Sequence, residues 1–468
     1  MVQIPIISGI YASSAPDLRT SYPVNLVPVP KESGISSGYL RPGDGLISFG
    51  TGPGIDRGAI NWNGVCYRVM GSSLVSVAAD GTATTLADVG DDGGPVTFDY
   101  SFVRLGIGTA GELFYWDGLT LSQVTDSDLG TVVDMIWIDG YFMTTDGEFL
   151  VVTDLNDPTA INPLKYGSSE ADPDPVKALL KLRNEAVALN RHTIEYFDNI
   201  GGSLFPFQRI EGAQIEKGCI GTRACCVYME AVAFLGGGFN EEPSIYLGAN
   251  AQAVPIATHE INLVLRTYTE AQLAAAELEA RNDGAHQFLY VHLPDRTLVY
   301  DGAASQVVGE PVWFTLTSSL DGFEQYRARH FVWCYDKWIF GDTQTAATGT
   351  ISKTVSSHWG VQVRWEFGTV IVYNEGRGVI FNDLELIGLT GSAAFGDTPV
   401  LSTSYSLDGE VWSEDRVITA GVTGERAKRL MWFMQGFMRN WRIQRFRGTS
   451  DVHMGFIRLE ARLEPMAF

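Results

Sequence analysis

Apolar and polar positions in this chain alternate in short runs and do not recur with a helical period. His286 to His292 form one such run, and Leu293-Pro294-Asp295 breaks it. Arg296 to Tyr300 form a second, and after Asp301-Gly302 a third ends in Val312-Trp313-Phe314. Short segments rich in aromatic and β-branched residues, closed by Pro-Asp or Asp-Gly, predict antiparallel strands joined by tight turns. The pattern repeats from Ile60 onward, with units opening near Cys66, Phe102, Met135, Ala178, Cys226, Phe288 and Phe331. Their spacing, roughly 35 to 60 residues, suggests propeller blades. Asn63-Gly64, Asp80-Gly81, Asp117-Gly118, Asp139-Gly140, Asp146-Gly147 and Asp301-Gly302 fall between apolar segments. Two-residue hairpins need residues there that tolerate positive φ. The expectation is an all-β protein with a β-propeller of six or seven irregular blades over residues 56–355. A pair of stacked β-sandwiches is the alternative, and closing a ring would remove exposed sheet edges.

Three stretches depart from this pattern. Residues 1–55 carry Pro5, Pro16, Pro23, Pro28, Pro30, Pro42 and Pro53, which predicts an extended N-terminal arm suited to lying on another surface. Thr269-Glu270-Ala271-Gln272 has capping-box spacing, and the helix formers that follow predict a short inserted helix near 269–281, ended by Asn282-Asp283-Gly284. It reads as an ordinary connector or as a contact element for a neighbouring subunit. From residue 356 to 468 longer alternating strands separated by wide turns predict a separate C-terminal β-sandwich.

Composition narrows the class. The 468 residues are 45% hydrophobic and 19% charged, enough to bury a large core. The five cysteines (Cys66, Cys219, Cys225, Cys226, Cys334) include no Cys-x-x-Cys pair, and their odd number fits folding in a reducing compartment. The first ten residues lack a secretory pattern and no apolar stretch is long enough to span a bilayer as a helix, so a soluble protein that is not exported is expected. A formal charge of −22 disfavours tight nonspecific binding to DNA phosphates. Against that balance, Arg426, Lys428, Arg429, Arg439, Arg442, Arg445 and Arg447 form a basic stretch, either a solvated strand face or a surface for an acidic partner such as a second copy.

Candidate chemistry is sparse. Ser406-Leu407-Asp408-Gly409-Glu410-Val411-Trp412 approaches the Asp-box of sialidase-type propellers, but it is one residue short and occurs once, so it reads as a hairpin with a polar tip. His286 and His292 would lie roughly 20 Å apart along a strand, too far to share a metal. Asp154-Leu155-Asn156-Asp157 and Asp172-Pro173-Asp174 lack the Gly and terminal Glu of a calcium hand. Gly236-Gly237-Gly238 leads to no Lys-bearing helix, so no phosphate loop is expected. Cys225-Cys226 has no basic neighbour to activate it. Catalytic, cofactor-binding and metal residues are therefore expected to be none. A carbohydrate-active propeller, glycosidase or lectin-like, is the competing reading; it requires two convergent carboxylates or solvent-facing platforms at Trp62, Trp116 or Trp137.

Several stretches together resemble the tail-hub proteins of lambdoid short-tailed phages, also called packaged DNA stabilisation proteins. They are Tyr22-Pro23-Val24-Asn25-Leu26 with Pro30-Lys31-Glu32, Ser36-Ser37-Gly38-Tyr39-Leu40-Arg41, and Pro53-Gly54-Ile55. Further along come His192-Thr193-Ile194-Glu195-Tyr196-Phe197, Lys217-Gly218-Cys219-Ile220-Gly221-Thr222, and Pro255-Ile256-Ala257-Thr258 leading to Arg266-Thr267-Tyr268-Thr269. His292-Leu293-Pro294, Leu298-Val299-Tyr300-Asp301 and Ser305-Gln306 complete the set. The resemblance implies a structural, non-enzymatic virion component without cofactor, assembled in the host cytoplasm and resident in the virion tail. It implies a hexameric ring below the portal and the tail adaptor that extends the DNA channel, helps retain the genome, and docks the tail needle and tailspikes or fibres. The arm 1–55 would lie across a neighbour or the adaptor, and an acidic lumen would let DNA pass without specific binding.

Overall fold

A computed structural model of the protein describes residues 2–6, 23–31, 38–155, 157–393, 395–449, 451 and 454–466. Tyr22, Glu32, Ser36, Ser37 and Asn156 lie outside the described residues. Seven antiparallel sheets, built in order from residues 56–88, 97–123, 134–168, 176–209, 218–255, 277–316 and 328–352, stand around a common centre. Each of the seven repeating units seen in the sequence falls in one of these blades. Within a blade the strands follow one another outward, and the inner strands touch in cyclic order, with Ala328–Cys334 of the last blade meeting Asp56–Trp62 of the first. Side chains wedge the blades apart at fixed spacing. Trp62, Leu105, Phe114 and Trp116 fill one interface, and Tyr115, Met135 and Phe142 the next. Each such side chain, once buried, contributes roughly 1.5–3 kcal/mol.

Turn chemistry explains much of the local geometry. Asn63 and Gly64 have φ of 52° and 79°, and Asp139 and Gly140 have 49° and 92°, the left-handed pair that a two-residue hairpin requires. Asp301-Gly302 behaves differently. Asp301 ends a strand and caps the helix Gly302–Val308 by accepting from the Ala304 N–H, so this Asp-Gly starts a helix and is no hairpin turn.

The helix expected near 269–281 is also shorter. It spans Glu270–Ala274 with the full Thr269–Gln272 capping box, and Glu277–Asp283 is the inner strand of the sixth blade. Good helix formers in Glu277-Leu278-Glu279-Ala280-Arg281 concealed a period of two. Pairing with His286–His292 decides the conformation and sends Glu277, Glu279 and Arg281 to one face.

Where it is described, the N-terminal segment is paired within its own chain. Gly45–Thr51 hydrogen-bonds to Ala347–Ser352 as the outermost strand of the last blade, so the ring is closed by its two ends. Leu26–Pro30, Gly38–Pro42 and Val2–Ile4 join the strands Phe456–Pro465, Val379–Gly388 and Leu430–Phe433 in one sheet of the C-terminal sandwich. The facing sheet holds Trp365–Gly368, Trp441–Gly448, Val400–Ser406 and Arg416–Thr419, and Leu26, Leu40, Trp365, Phe367, Phe446 and Phe456 pack between the two.

Asn25 rivets the sandwich to the propeller. Its φ of 51° turns the backbone sharply, which Asn accommodates with little strain. The side chain donates to the carbonyls of Thr317 (2.9 Å) and Arg364 (2.7 Å) and accepts from the Thr317 N–H (3.1 Å). The flanking Val24 N–H donates to the Glu366 carbonyl, and the Asn25 N–H to that of Thr315. Asn25→Ala leaves these groups unmet and should cost about 2–4 kcal/mol. Calorimetry should then resolve two unfolding transitions where the parent shows coupled unfolding.

His358 sits at the same seam, buried beside Arg327 and Tyr326, with Nδ1 2.8 Å from Ser318 Oγ. Burial, aided by the Arg327 charge, pulls its pKa down to about 3. The folded state keeps His358 neutral while the unfolded chain protonates it below about pH 6.5, so stability falls as the pH drops through that value. This term amounts to roughly 2 kcal/mol at pH 5. His358→Gln should flatten the loss of unfolding free energy between pH 6.5 and 5.

Candidate functional site

The inner strands belong to separate sheets, so each presents an edge to the centre of the ring, where backbone N–H groups need partners from elsewhere. Carboxylates of the preceding blade supply them at three interfaces. Asp99 accepts from the Trp137 N–H at 2.6 Å. Asp134 accepts from the Leu179 N–H at 2.8 Å, and also from the Met135 N–H and Thr97 Oγ1, tying three blades together. Glu279 accepts from the His330 N–H at 2.6 Å and the Phe331 N–H at 3.4 Å. Burial pushes the Asp134 carboxyl above its usual range against the pull of Arg223 and its donors, and raises Asp99 likewise.

Where blade seven meets blade one, apolar filling thins to a small cluster around Cys66, Val77, Val332, Cys334 and Ile339. Charge takes over. Asp56 forms a bidentate pair with Arg68 (both contacts 2.7 Å) and lies 2.5 Å from His330 Nδ1. Glu277 faces His330 Nε2 at 3.4 Å and Arg329 at 3.3 Å, while His292 Nε2 is 3.8 Å from Glu279. Burial opposes every charge here. Even so, the neighbouring His330 outweighs it and holds the Glu277 carboxyl far below its usual range, and His292 does the same for Glu279. Burial likewise works against a charged His330, yet Asp56 and Glu277 raise it to about 9; His292, more deeply buried, is lowered. Glu277, Glu279, His330, Arg223 and Cys226 line a cavity of about 310 Å³ beside this cluster.

The arrangement suits clamping better than glycoside cleavage, which needs one carboxyl kept protonated near neutral pH. Glu277 and Glu279 both face the cavity and are both held ionised. Trp62 and Trp116 are buried in the blade interfaces. Trp137 is half-buried, edge-on to Phe102, and with Asn61, Asn63 and Tyr100 lines a surface groove of about 510 Å³. The remaining sequence candidates resolve into turns and packing. Asp408 accepts from the Glu410 and Val411 N–H groups at a hairpin tip, Asp154 pairs with Lys165, and Asp174 accepts from the His192 N–H. His286 pairs with Asp301, at the far end of the strand from His292. Gly236 runs so close to the Gly218 carbonyl that a Cβ would stand 1.9 Å from it, which accounts for a glycine there without a phosphate. All five cysteines are free thiols; contact with Cys219 and burial raise Cys225, and burial raises Cys226.

The basic stretch of the sandwich is divided. Arg442 is fully buried between the Phe381 and Tyr405 rings and donates to the Gln435 carbonyl and Gln444 Oε1. Arg429 grips Glu385, Arg447 pairs with Asp415, and Arg445 lies over Trp412. Arg426, Lys428 and Arg439 are exposed.

Two family models match this architecture in order. The one described as "Bacteriophage P22 Gp10, beta-propeller" covers residues 2–356, and "Bacteriophage P22 Gp10, beta-sandwich" covers 364–464. The chain belongs to the P22 Gp10 family. A curated relative in this family, tail hub protein gp10 of Salmonella phage P22, is 28% identical over 461 residues, spanning 93% of this chain and 94% of its own. Among solved structures, the WD40 domain of Neurospora crassa Pan2 overlaps 66% of this chain and 95% of its own at TM-score 0.42 and 12% identity. PorZ of Porphyromonas gingivalis overlaps 79% of this chain and 46% of its own at TM-score 0.41 and 13% identity. Neither overlap is close enough to add to the assignment. The first family model begins at residue 2, so in this P22 Gp10 family member it takes in the N-terminal strands that complete the last blade and the sandwich.

Replacing Asp134 tests the clamp. Asp134→Ala strands the Leu179 and Met135 N–H groups and should lower the unfolding free energy by about 2–4 kcal/mol. Asp80→Ala, at an exposed turn, should leave it almost unchanged. Denaturant titration of both variants measures the contrast.

Proposed function

We propose that this chain is a structural hub of a short-tailed phage's tail, working through protein interfaces and not through catalysis. The observation that carries the reading is the co-linear match of both bodies, propeller and sandwich, to the P22 Gp10 family, together with end-to-end similarity to a protein named for that role. In the finer form of the proposal, copies of the chain close into a six-membered ring below the portal and adaptor. The ring extends the DNA channel, helps retain the packaged genome, and docks the tail needle and tailspikes or fibres. Folding and assembly take place in the host cytoplasm, and the mature protein resides in the virion tail.

Two physical features support an assembly component. Phe102 (90%), Leu119 (86%), Phe239 (77%) and Phe395 (98%) are largely exposed on the single chain, a disposition that suits coverage by neighbours. A charge of −22 per copy, multiplied around a ring, favours a conduit that repels phosphates over short range.

Rotationally averaged micrographs of isolated tails, with an antibody against this chain marking its position, test the proposal. The expected image is a labelled six-fold ring between adaptor and needle. Label on the spikes alone, together with glycan hydrolysis or binding by the purified chain, would overturn it in favour of the carbohydrate-active reading that the Trp137–Phe102 groove allows.

A further inference from the structure

The charged seam contains a donor set with a geometry of its own. Glu277 and Glu279 alternate along one inner strand, and His292 stands opposite Glu277 on the next strand. His330 arrives from the seventh blade at a bulge, with its backbone forced to a φ of 55°. One donor atom from each of Glu277, Glu279 and His330 lies within 4.8 Å of the other two. The separations Glu277 Oε2 to His330 Nε2 (3.4 Å) and Glu279 Oε2 to His292 Nε2 (3.8 Å) are near the donor–donor edge of about 3.3 Å in a tetrahedral site with bonds of about 2.0–2.1 Å.

Three of these atoms, Glu277 Oε2, His292 Nε2 and His330 Nε2, are buried and have no hydrogen-bond partner. Such orphans are costly unless something meets them. The opposite ring nitrogens are already held. His330 Nδ1 is 2.5 Å from the Asp56 carboxylate and His292 Nδ1 is 2.9 Å from Thr297 Oγ1, contacts that fix each ring with its Nε2 aimed into the cluster. This is how metal-bearing histidines are oriented by their outer contacts. The His292 side chain is wholly buried, which makes its unpartnered nitrogen an observation independent of the two carboxylates.

We propose that Glu277, Glu279 and His330 bind one divalent transition-metal ion, with His292, beside Glu279 but outside the three-residue set, drawn in as the fourth donor, and with zinc the best match to two imidazole nitrogens and two carboxylate oxygens. The ion takes the place of the proton on His330 Nε2 and relieves Arg329 of its contact with Glu277. It fastens blade six to blade seven, and Asp56 extends the fastening to blade one. The adjoining cavity gives an ion access from the centre of the ring.

The test uses the full chain, stripped with a chelator and titrated with Co²⁺ as the spectroscopic probe, then with Zn²⁺. The expected result is tetrahedral cobalt absorption saturating at one equivalent, its displacement by one equivalent of Zn²⁺, and a Tm raised by several degrees. Glu277→Gln and His292→Asn, checked for native circular dichroism and elution volume, should each weaken Co²⁺ binding more than tenfold. Absence of cobalt bands and of a Tm shift in the parent protein overturns the proposal without reference to either variant. Binding that survives both substitutions overturns it as well, because the ion then sits elsewhere. Neither failure bears on the hub reading, which rests on family and interfaces.

Discussion

A propeller has a sheet edge wherever a blade meets the central hole, and the backbone donors along that edge cannot be satisfied by the neighbouring strand, which belongs to another twisted sheet. Here the difficulty is met by side chains. Asp99, Asp134 and Glu279 each take the N–H of a residue in the following blade, so that consecutive inner strands are bonded through carboxylates and not through a ladder. A buried N–H left unmet costs roughly 1–3 kcal/mol, as much as a well-packed apolar side chain contributes. The same bonds fix the angle between blades, which apolar wedges alone would leave adjustable.

Ring closure places a second demand on the chain. The last blade obtains its outer strand, Gly45–Thr51, from the N-terminal segment, and the strands before it complete a sandwich whose other members come from the C-terminal hundred residues. The N-terminal segment is thereby committed to both bodies, with Asn25 bonded across the joint. For a hub this matters mechanically. A load applied to the sandwich reaches the propeller through hydrogen-bonded backbone at Val24 and Asn25, not through a free linker. The seam of blades seven and one, where the apolar cluster is small, also carries the Asp56–Arg68–His330 ion pairs, so the ring is held there largely by electrostatics.

How much of this could be read in the sequence varies by element. Asn63-Gly64 and Asp139-Gly140 announced their hairpins because the turn itself demands those residues, and seven spaced apolar units corresponded to seven blades. Asp301-Gly302 carried the same letters into a different role, since an Asp before Gly serves equally as a helix cap. Glu277 to Arg281 read as helix because intrinsic preference is a weak prior once a strand partner is available. The inner carboxylates were hidden for another reason. Asp134 and Leu179, or Glu279 and His330, are brought together only by the circular order of blades, and no local spacing records that proximity. Asn25 lay within a stretch singled out by resemblance, yet its role as a rivet depends on Thr317 and Arg364, far along the chain.

Amide hydrogen exchange of the native chain, resolved at single residues, tests most directly whether side-chain carboxylates hold the inner strands. Trp137, Leu179 and His330 donate to Asp99, Asp134 and Glu279 of the preceding blade, and the account requires their amides to exchange only with global opening, as slowly as those in the centres of the blades. Exchange of these three amides at the rate of the exposed turns, while the rest of their strands stay protected, would contradict it.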